Sequence, residues 1–564
     1  MICRVNKILV FVLIIILVNN STFFTNGFTD NAYKETSMEN DKNDFSSHNN
    51  DLLNGDTIFS SNTDDENLYN GIIFRRHDAY SIINGTKSYY PLKFDGSRKW
   101  SYGSQFIKTL ALSPNIPKVK SLSLGDSDWI VTGQEIHRDE IIFLRGNLII
   151  EPGGNLTFIN VTLYMNCSKD GEFQIRVKSG ASFQIYDGSI ITCYNTSCSY
   201  LFYVDVNAKF RMIDSELHYC GYSYDYVGLV VSTDDVLLKN CLFSMNYYGI
   251  YINQTSLSLV NCTFQENKEC GIYAYRSIVS LTNCSAKKNR HGFDYYQSNG
   301  MIINCISEDN EWGASIIGVS DNYCNITINK CNFTGNTASA ITSSHAYVTI
   351  MDCIINHNNG GVYSQFCHVN ISNSDLCNNY GDGAFFEGDS VKIRILNCSL
   401  YGNDGNGIHT GQKTITYIYN CNLSLNGNSG VDACRANLTM INNSICNNRN
   451  YGVFLDYRFN NYNFRAYIIN NTFVKNTIYL DGYYLDEFFH EIENNTVNDK
   501  PLYYFLNEKN FSVPNDAGQV IIVNCTDVRV ENLSIDGASI AVEVAYSSGV
   551  KISNNDFSNN NLNG

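Results

Sequence analysis

The sequence predicts an all-β solenoid: one chain wound as a single-stranded right-handed parallel β-helix of about 22 residues per coil, behind a polar N-terminal arm that reads as disordered. Three observations predict it. Cysteine recurs in one column at Cys241, Cys262, Cys284, Cys305, Cys331, Cys353, Cys398 and Cys421. About five residues past the anchor an asparagine recurs, at Asn246, Asn267, Asn289, Asn310, Asn336, Asn358, Asn403 and Asn426. Farther on comes glycine with an apolar residue, as in Gly249-Ile250, Gly271-Ile272, Gly292-Phe293, Gly407-Ile408, Gly430-Val431 and Gly452-Val453.

Taken in chain order, residues 1–26 read as an export signal or a retained N-terminal anchor. Arg4 and Lys7 precede the apolar run Ile8 to Val18, which has the length of a signal h-region. It is shorter than the roughly 20 residues a membrane span needs. Residues 27–127 combine the polar arm, whose main part is residues 40–70, with a segment to 127 that carries only weak strand signals. Residues 128–225 read as the first coils, 226–497 as the regular repeats, and 498–564 as further coils that stop without a polar cap. That abrupt stop suggests a truncated end.

Composition narrows the function classes. A formal net charge of −16 argues against a nucleic-acid binder, which needs clustered Lys and Arg to track phosphates. Six prolines against 40 glycines suit many short turns between strands.

Within a repeat, Leu257 and Leu259 alternate with Ser256 and Ser258, as in a strand with one buried face. The alternation breaks before Cys262. A residue in the left-handed region bends the strand and flips the parity of the residues after it, and asparagine tolerates that region better than other non-glycine residues. Asn261, Asn283, Asn304, Asn397 and Asn420 are therefore the predicted bends. The next residue points inward and stacks on its equivalents, so the cysteines form a structural ladder, which Asn443 and then Asn471 and Asn495 continue. A leucine-rich repeat is the rival solenoid, but its return half needs helix-forming sequence. Here that half is "QENKECGIYAY", with no helical period. Free thiols are expected along the column, because in-register Cβ atoms about 4.8 Å apart lie outside the roughly 3.5–4.5 Å of a bridge; vertical disulfides are the alternative. No metal is expected on a one-dimensional column.

Two blocks resemble a known family. Residues 128–190, containing "IIFLRGNLIIEPGGNLTFINVTLYMNC", and residues 498–535, containing "NEKNFSVPNDAGQVIIVNC", are similar to secreted archaeal proteins built from parallel β-helix repeats, related to the NosD-type repeat proteins and to the wider pectate-lyase-like superfamily. The resemblance implies the fold and an exported or cell-surface location. The NosD likeness also implies copper delivery, yet the chain shows no Met/His/Cys constellation to carry it, and no cofactor is expected.

Chemistry on a β-helix needs acids converging on one outer face. Asp294, Asp375, Asp382, Asp404 and Asp432 sit at several offsets from their anchors, as do His291, His357 and His409, so spacing forces neither a carboxylate pair nor a histidine column. "NRHG" and "VKIRI" echo pectinase motifs without matching acids. One outward column comes after the glycine-apolar pairs: Tyr251, Tyr273, Asp294, Ser315, Ser339, Tyr363, Phe385, His409, Asp432 and Phe454, with Tyr275, Tyr295 and Tyr296 beside it. Aromatics spaced up a flat sheet suit sugar rings, or they only steady neighbouring strands. Tyr251, Tyr273, Tyr275, Tyr295, Tyr296, Tyr363 and Phe385 are the candidate glycan- or partner-binding residues. Glycosylation sequons are frequent, with Asn155, Asn160, Asn261, Asn397 and Asn437 as candidates.

The expectation is a non-catalytic secreted or surface rod with a structural, adhesive or glycan-recognition role. The alternative is a polysaccharide lyase, hydrolase or epimerase working on an outer face. Expected partners are glycans or cell-envelope proteins, without nucleic acid, and with a membrane only through the N-terminal segment if it is retained.

Overall fold

A computed structural model of the chain describes the backbone of residues 72–75, 78–83, 86–90 and 120–123, and then residues 126–562 except 412 and 459–463. The predicted signal and the polar arm to residue 70 lie outside the described residues. Two units are distinguished, residues 1–116 and 117–564. In the first, Ile72–Arg75, Asp78–Ile83 and Thr86–Tyr90 form an antiparallel meander in a segment whose strand signals are weak.

The second unit is the predicted solenoid. Three rows of parallel strands face a common core. Sheet I has 16 strands, from Trp129–Val131 to Ile478–Asp481, and sheet II has 16, from Gln134–Arg138 to Glu491–Glu493. Sheet III consists of short strands running from Lys120–Ser123 to Thr496–Val497. No α-helix closes any turn among the described residues; the one helical piece is the 3-10 turn Leu485–Phe488.

One coil shows the rule. Tyr248–Asn253 runs in sheet I, Gln254 turns at φ 52° and Thr255 points inward. Ser256–Val260 runs in sheet II, Asn261 turns at φ 54° and Cys262 points inward. Thr263–Gln265 runs in sheet III, Glu266 turns at φ 53° and Asn267 points inward. Every coil of this kind has three left-handed corners, each followed by a small or amide side chain in the core.

The five predicted bends Asn261, Asn283, Asn304, Asn397 and Asn420 occupy the second corner, with φ between 52° and 54°. Outside the core their amides form a ladder: Asn283 Nδ2 donates to Asn261 Oδ1 at 3.1 Å, and Asn261 Nδ2 to Asn240 Oδ1 at 3.0 Å. The cysteine column behind them is buried throughout and its thiols are free. Its sulfurs accept backbone N–H groups from the rung below, as Cys305 does from Cys284 at 3.3 Å and Cys353 from Cys331 at 3.4 Å. Ser374 fills the gap, and Asn443, Asn471 and Asn495 continue the column with amide hydrogen bonds of 2.8–2.9 Å.

In several rungs the third corner holds residues with no left-handed preference, among them Met245, Glu266, Lys288 and Leu425, whereas Asp309, Gly335, Asn378, Gly402 and Asn447 suit it in others. A non-glycine residue there costs roughly 1–2 kcal/mol. The compensation is the asparagine next in the chain. From Asn246 to Asn476 every rung buries one, and from Asn267 onward each Oδ1 accepts the backbone N–H of the asparagine below, from 3.1 Å at the Asn246 N–H to 2.7 Å at that of Asn448. Their Nδ2 atoms donate to carbonyls of the core, as Asn289 to Phe264 at 3.0 Å. A satisfied buried hydrogen bond contributes about 1 kcal/mol net, so two per rung offset the corner.

The last coils depart from simple continuation. Thr496–Val497 pairs antiparallel with the start of Lys500–Leu506, reversing the strand direction. Lys500–Leu506, Gln519–Val523 and Val542–Ala545 then stack in parallel. These coils lie against the outer edge of the last sheet I strand. The Gln519 amide brackets Ile478, accepting its N–H at 3.1 Å and donating to its carbonyl at 2.6 Å, and Glu543 accepts the Leu480 N–H at 3.3 Å. The strand edge is therefore occupied by side chains, which blocks its pairing with another chain.

Candidate functional site: the outward face of sheet I

The sheet I strands carry a second parity break, which decides what faces out. In Cys270–Tyr275, Tyr273 and Tyr275 point outward while Ile272 and Ala274 point in. Gly271 also faces the core: a Cβ there would meet the Gly292 carbonyl oxygen at 2.7 Å and the Phe264 side chain at 3.0 Å. Cys270 consequently faces out, where it packs with Val227, Tyr247 and Tyr248 in a small cluster separate from the core. Residues three apart thus share the outer face, which simple alternation forbids.

Register assembles one outward column without a break: Tyr251, Tyr273, Asp294, Ser315, Thr342, Tyr363, Phe385, His409, Asp432, Phe454 and Tyr479. Thr342 takes the place expected for Ser339, which lies three residues earlier in its strand. Tyr275 and Tyr296 belong to the next outward column. Tyr295 does not belong outside: it alternates inward, is fully buried, and donates its hydroxyl to the Val279 carbonyl at 3.3 Å. The candidate binding group therefore loses Tyr295.

The remaining rings stack on one another along the axis. Tyr251 and Tyr273 have centroids 5.3 Å apart, Tyr275 and Tyr296 5.9 Å, Tyr363 and Phe385 5.0 Å, and Phe385 and His409 4.6 Å, all near parallel. Ring faces inside these ladders are covered by their neighbours. The surface they offer is made of ring edges and hydroxyls.

Between the aromatic blocks the column turns polar. Above Tyr273, Asp294 is 7% exposed; its Oδ2 lies 3.8 Å from His291 Nδ1 and 3.9 Å from the Cys270 thiol. Two atoms here are buried without a hydrogen-bond partner, Asp294 Oδ1 and His291 Nδ1. Burial pushes the Asp294 carboxyl up to about 7, against the lowering effect of the Ser315 hydroxyl and the Cys270 thiol. Burial, with Arg290 adding to it, pulls His291 down to about 4. Both groups are neutral between those values. The His291 ring stacks on Trp312 at 4.7 Å.

Arg290 closes one side. It is held by Glu269 at 2.9 Å and Glu311 at 3.4 Å, its guanidinium lies over Trp312, and it donates to the Tyr224 hydroxyl at 3.1 Å. Tyr224 comes from an excursion between Gly221 and Gly228, both at positive φ. Farther along, His409 Nδ1 lies 3.1 Å from Asp432 Oδ2, and Asp456 and Asp481, in register, share Arg458 at 2.9 and 3.3 Å. Sequence spacing set His409 next to Asp432 in the outward column but paired neither His291 with Asp294 nor Asp456 with Asp481, because corners and glycine breaks absorb the differences in offset.

The predicted sequons divide. Asn160, Asn261 and Asn397 donate their amide nitrogens to the outer ladder at 2.8, 3.0 and 3.3 Å, so a glycan on that nitrogen would displace a rung of it. Asn155 and Asn437 stand on sheet II strands with their carbonyl oxygens engaged by Gln184 and by the Arg465 N–H. Among the described residues no group of three or more His, Cys, Asp or Glu is arranged to hold a metal ion, and no helix is long and apolar enough to cross a membrane.

Residues 123–278, 202–346 and 340–497 match the family described as right handed beta helix region, so the chain belongs to that family. Among solved structures, the periplasmic alginate epimerase AlgG is similar at 12% identity, covering 53% of this chain and 78% of its own, with a TM-score of 0.37. The AlgE6 A-module, a mannuronan C-5 epimerase of Azotobacter vinelandii, is similar at 14% identity over 61% of this chain and 91% of its own, with a TM-score of 0.35. Pectate lyase Pel9A is similar at 14% identity over 59% and 70%, with a TM-score of 0.20. No curated protein matches the sequence.

Proposed function

We propose that the protein is an exported β-helical rod whose sheet I face recognises glycans. One observation carries this reading: a single register from Tyr251 to Tyr479 sets ring edges, hydroxyls, carboxyls and the His409 imidazole at one side chain per rung. That mixture of apolar edge and hydrogen-bonding groups suits a hydroxylated ring better than a protein segment. Export is supported by the positive residues and apolar run at the N-terminus. The test is a glycan array probed with the full chain and with Tyr273→Ala and Tyr275→Ala. Loss of binding in the variants supports the reading, and unchanged binding leaves the tyrosines a purely structural role.

A second reading, acid–base cleavage or rearrangement of the bound glycan, is favoured by Asp294 beside His291. The carboxyl is protonated and the imidazole is neutral in the same pH window, the pairing that proton transfer requires. Incubation with polysaccharides at about pH 6, inside that window, followed for new reducing ends and unsaturated products, separates binding from turnover.

A further inference from the structure

We infer that Asp294 and His291 form the seat for a sugar hydroxyl and select neutral glycans over uronates; this rests on the glycan-recognition reading. A buried polar atom without a partner costs free energy, and native structures satisfy nearly all of them with protein, water or ligand. Two such atoms, Asp294 Oδ1 and His291 Nδ1, belong to neighbouring side chains of the outer face, where His291 Nδ1 lies 3.8 Å from the other carboxyl oxygen, Asp294 Oδ2. The 3.8 Å between His291 Nδ1 and the carboxylate is too long for a direct hydrogen bond. It is short enough for one inserted hydroxyl to meet both groups, the arrangement by which a bridging water links two polar atoms.

The walls fit a sugar. Tyr273 lies one rung below Asp294 and Ser315 one rung above, while Trp312 lies above His291 and Cys270 below it. The ring of Tyr248 lies 5.4 Å from that of Tyr273 and extends the apolar floor.

Charge sets the selectivity. Asp294 has His291 in its own coil, Cys270 and Tyr273 from the rung below and Tyr248 from two rungs below as ionisable neighbours, while Glu269, Glu311 and Tyr224 gather around Arg290. Arg290 is the cation nearest to His291 in sequence, and Glu269 and Glu311 already hold it. Lys268 is turned over the Tyr247 ring, 5.3 Å from its centroid. A uronate at this seat would set its carboxylate beside Glu269 and Glu311, which already hold Arg290, while Arg276 lies over the Tyr275 ring and donates to Gln297; a neutral sugar meets no such penalty.

The experiment is calorimetric or array binding of neutral oligosaccharides (gluco-, manno-, galacto- and xylo-) against oligogalacturonate and oligomannuronate, using the full chain. Asp294→Ala and His291→Ala are expected to weaken neutral-glycan binding about tenfold, the loss of one or two hydrogen bonds. Asp294→Asn keeps the shape and an acceptor, and is expected to stay within about threefold of wild type. Near-UV circular dichroism of the stacked tyrosines reports whether each variant keeps its fold. Tighter binding of the uronates, or neutral-glycan binding untouched by Asp294→Ala and His291→Ala, overturns the inference while the glycan reading stands. Absence of binding by either class overturns both.

Discussion

Asn310→Ala probes the inner asparagine ladder at a rung where every partner is defined. Asn310 is 1% exposed; its Oδ1 accepts the Asn289 N–H at 2.9 Å and its Nδ2 donates to the Ala286 carbonyl at 3.1 Å. Truncation leaves the Asn289 N–H buried without an acceptor, at about 1–3 kcal/mol, and removes a donor from Ala286 at about 0.5–1.5 kcal/mol. The sum is about 1.5–4.5 kcal/mol. Because solenoid stability is built from neighbouring repeats, the loss concentrates in the adjacent rungs. Native-state hydrogen exchange is the assay, with the Asn289 amide as reporter and an expected acceleration of about tenfold to 2,000-fold. The control is Asn283→Ala in the exposed outer ladder, which gives up one solvent-facing hydrogen bond and a residue suited to the corner, about 1 kcal/mol. Acceleration below about tenfold for Asn310→Ala, or an equal effect of the two substitutions, would refute the view that the inner ladder holds the coil.

Three more outcomes are expected. Phe264→Ala removes a fully buried ring stacked on Phe243 at 5.0 Å and is expected to cost about 3–5 kcal/mol, read as a lowered midpoint of chemical unfolding. Glu543 is pushed up to about 8 by burial, so between the ordinary carboxylate range and pH 8 the folded state holds a proton that the unfolded chain releases. Docking of the last coils on Leu480 should therefore weaken as pH rises through that window, with limited proteolysis between residues 480 and 546 increasing accordingly, and Glu543→Gln should flatten the profile. Iodoacetamide applied to the native protein should reach the half-buried Cys434 and Cys446 before any ladder cysteine, with the buried cysteines of the coils labelled only in denaturant; an intact mass short by pairs of hydrogens would contradict the free thiols.

The fold was legible because the second corner uses asparagine and its successor is cysteine, two residue types that mark a bend and a small buried position. The other two corners were not legible. Gln254, Arg276 and Phe366 at one, and Glu266, Lys288 and Leu425 at the other, have no preference for the left-handed region, which the inward residues of the stacked rungs impose. The recurring asparagine was visible as a repeat but not as buried, since only the stack supplies its partners. In the candidate site, the tyrosine column could be read from spacing, while the pairing of His291 with Asp294 could not. They lie three residues apart, and it is Gly292, facing inward with the next residue, that returns both to the outer face. Tyr295 was misplaced because its neighbours in sequence are outward groups, though its own position alternates inward.

Hydrogen-exchange footprinting of the full chain with a bound neutral oligosaccharide tests most directly whether sheet I is the recognition face. Protection confined to residues 270–275, 291–296 and 312–317 is the predicted result. Protection on sheet II or sheet III strands, with those three segments unchanged, would contradict it.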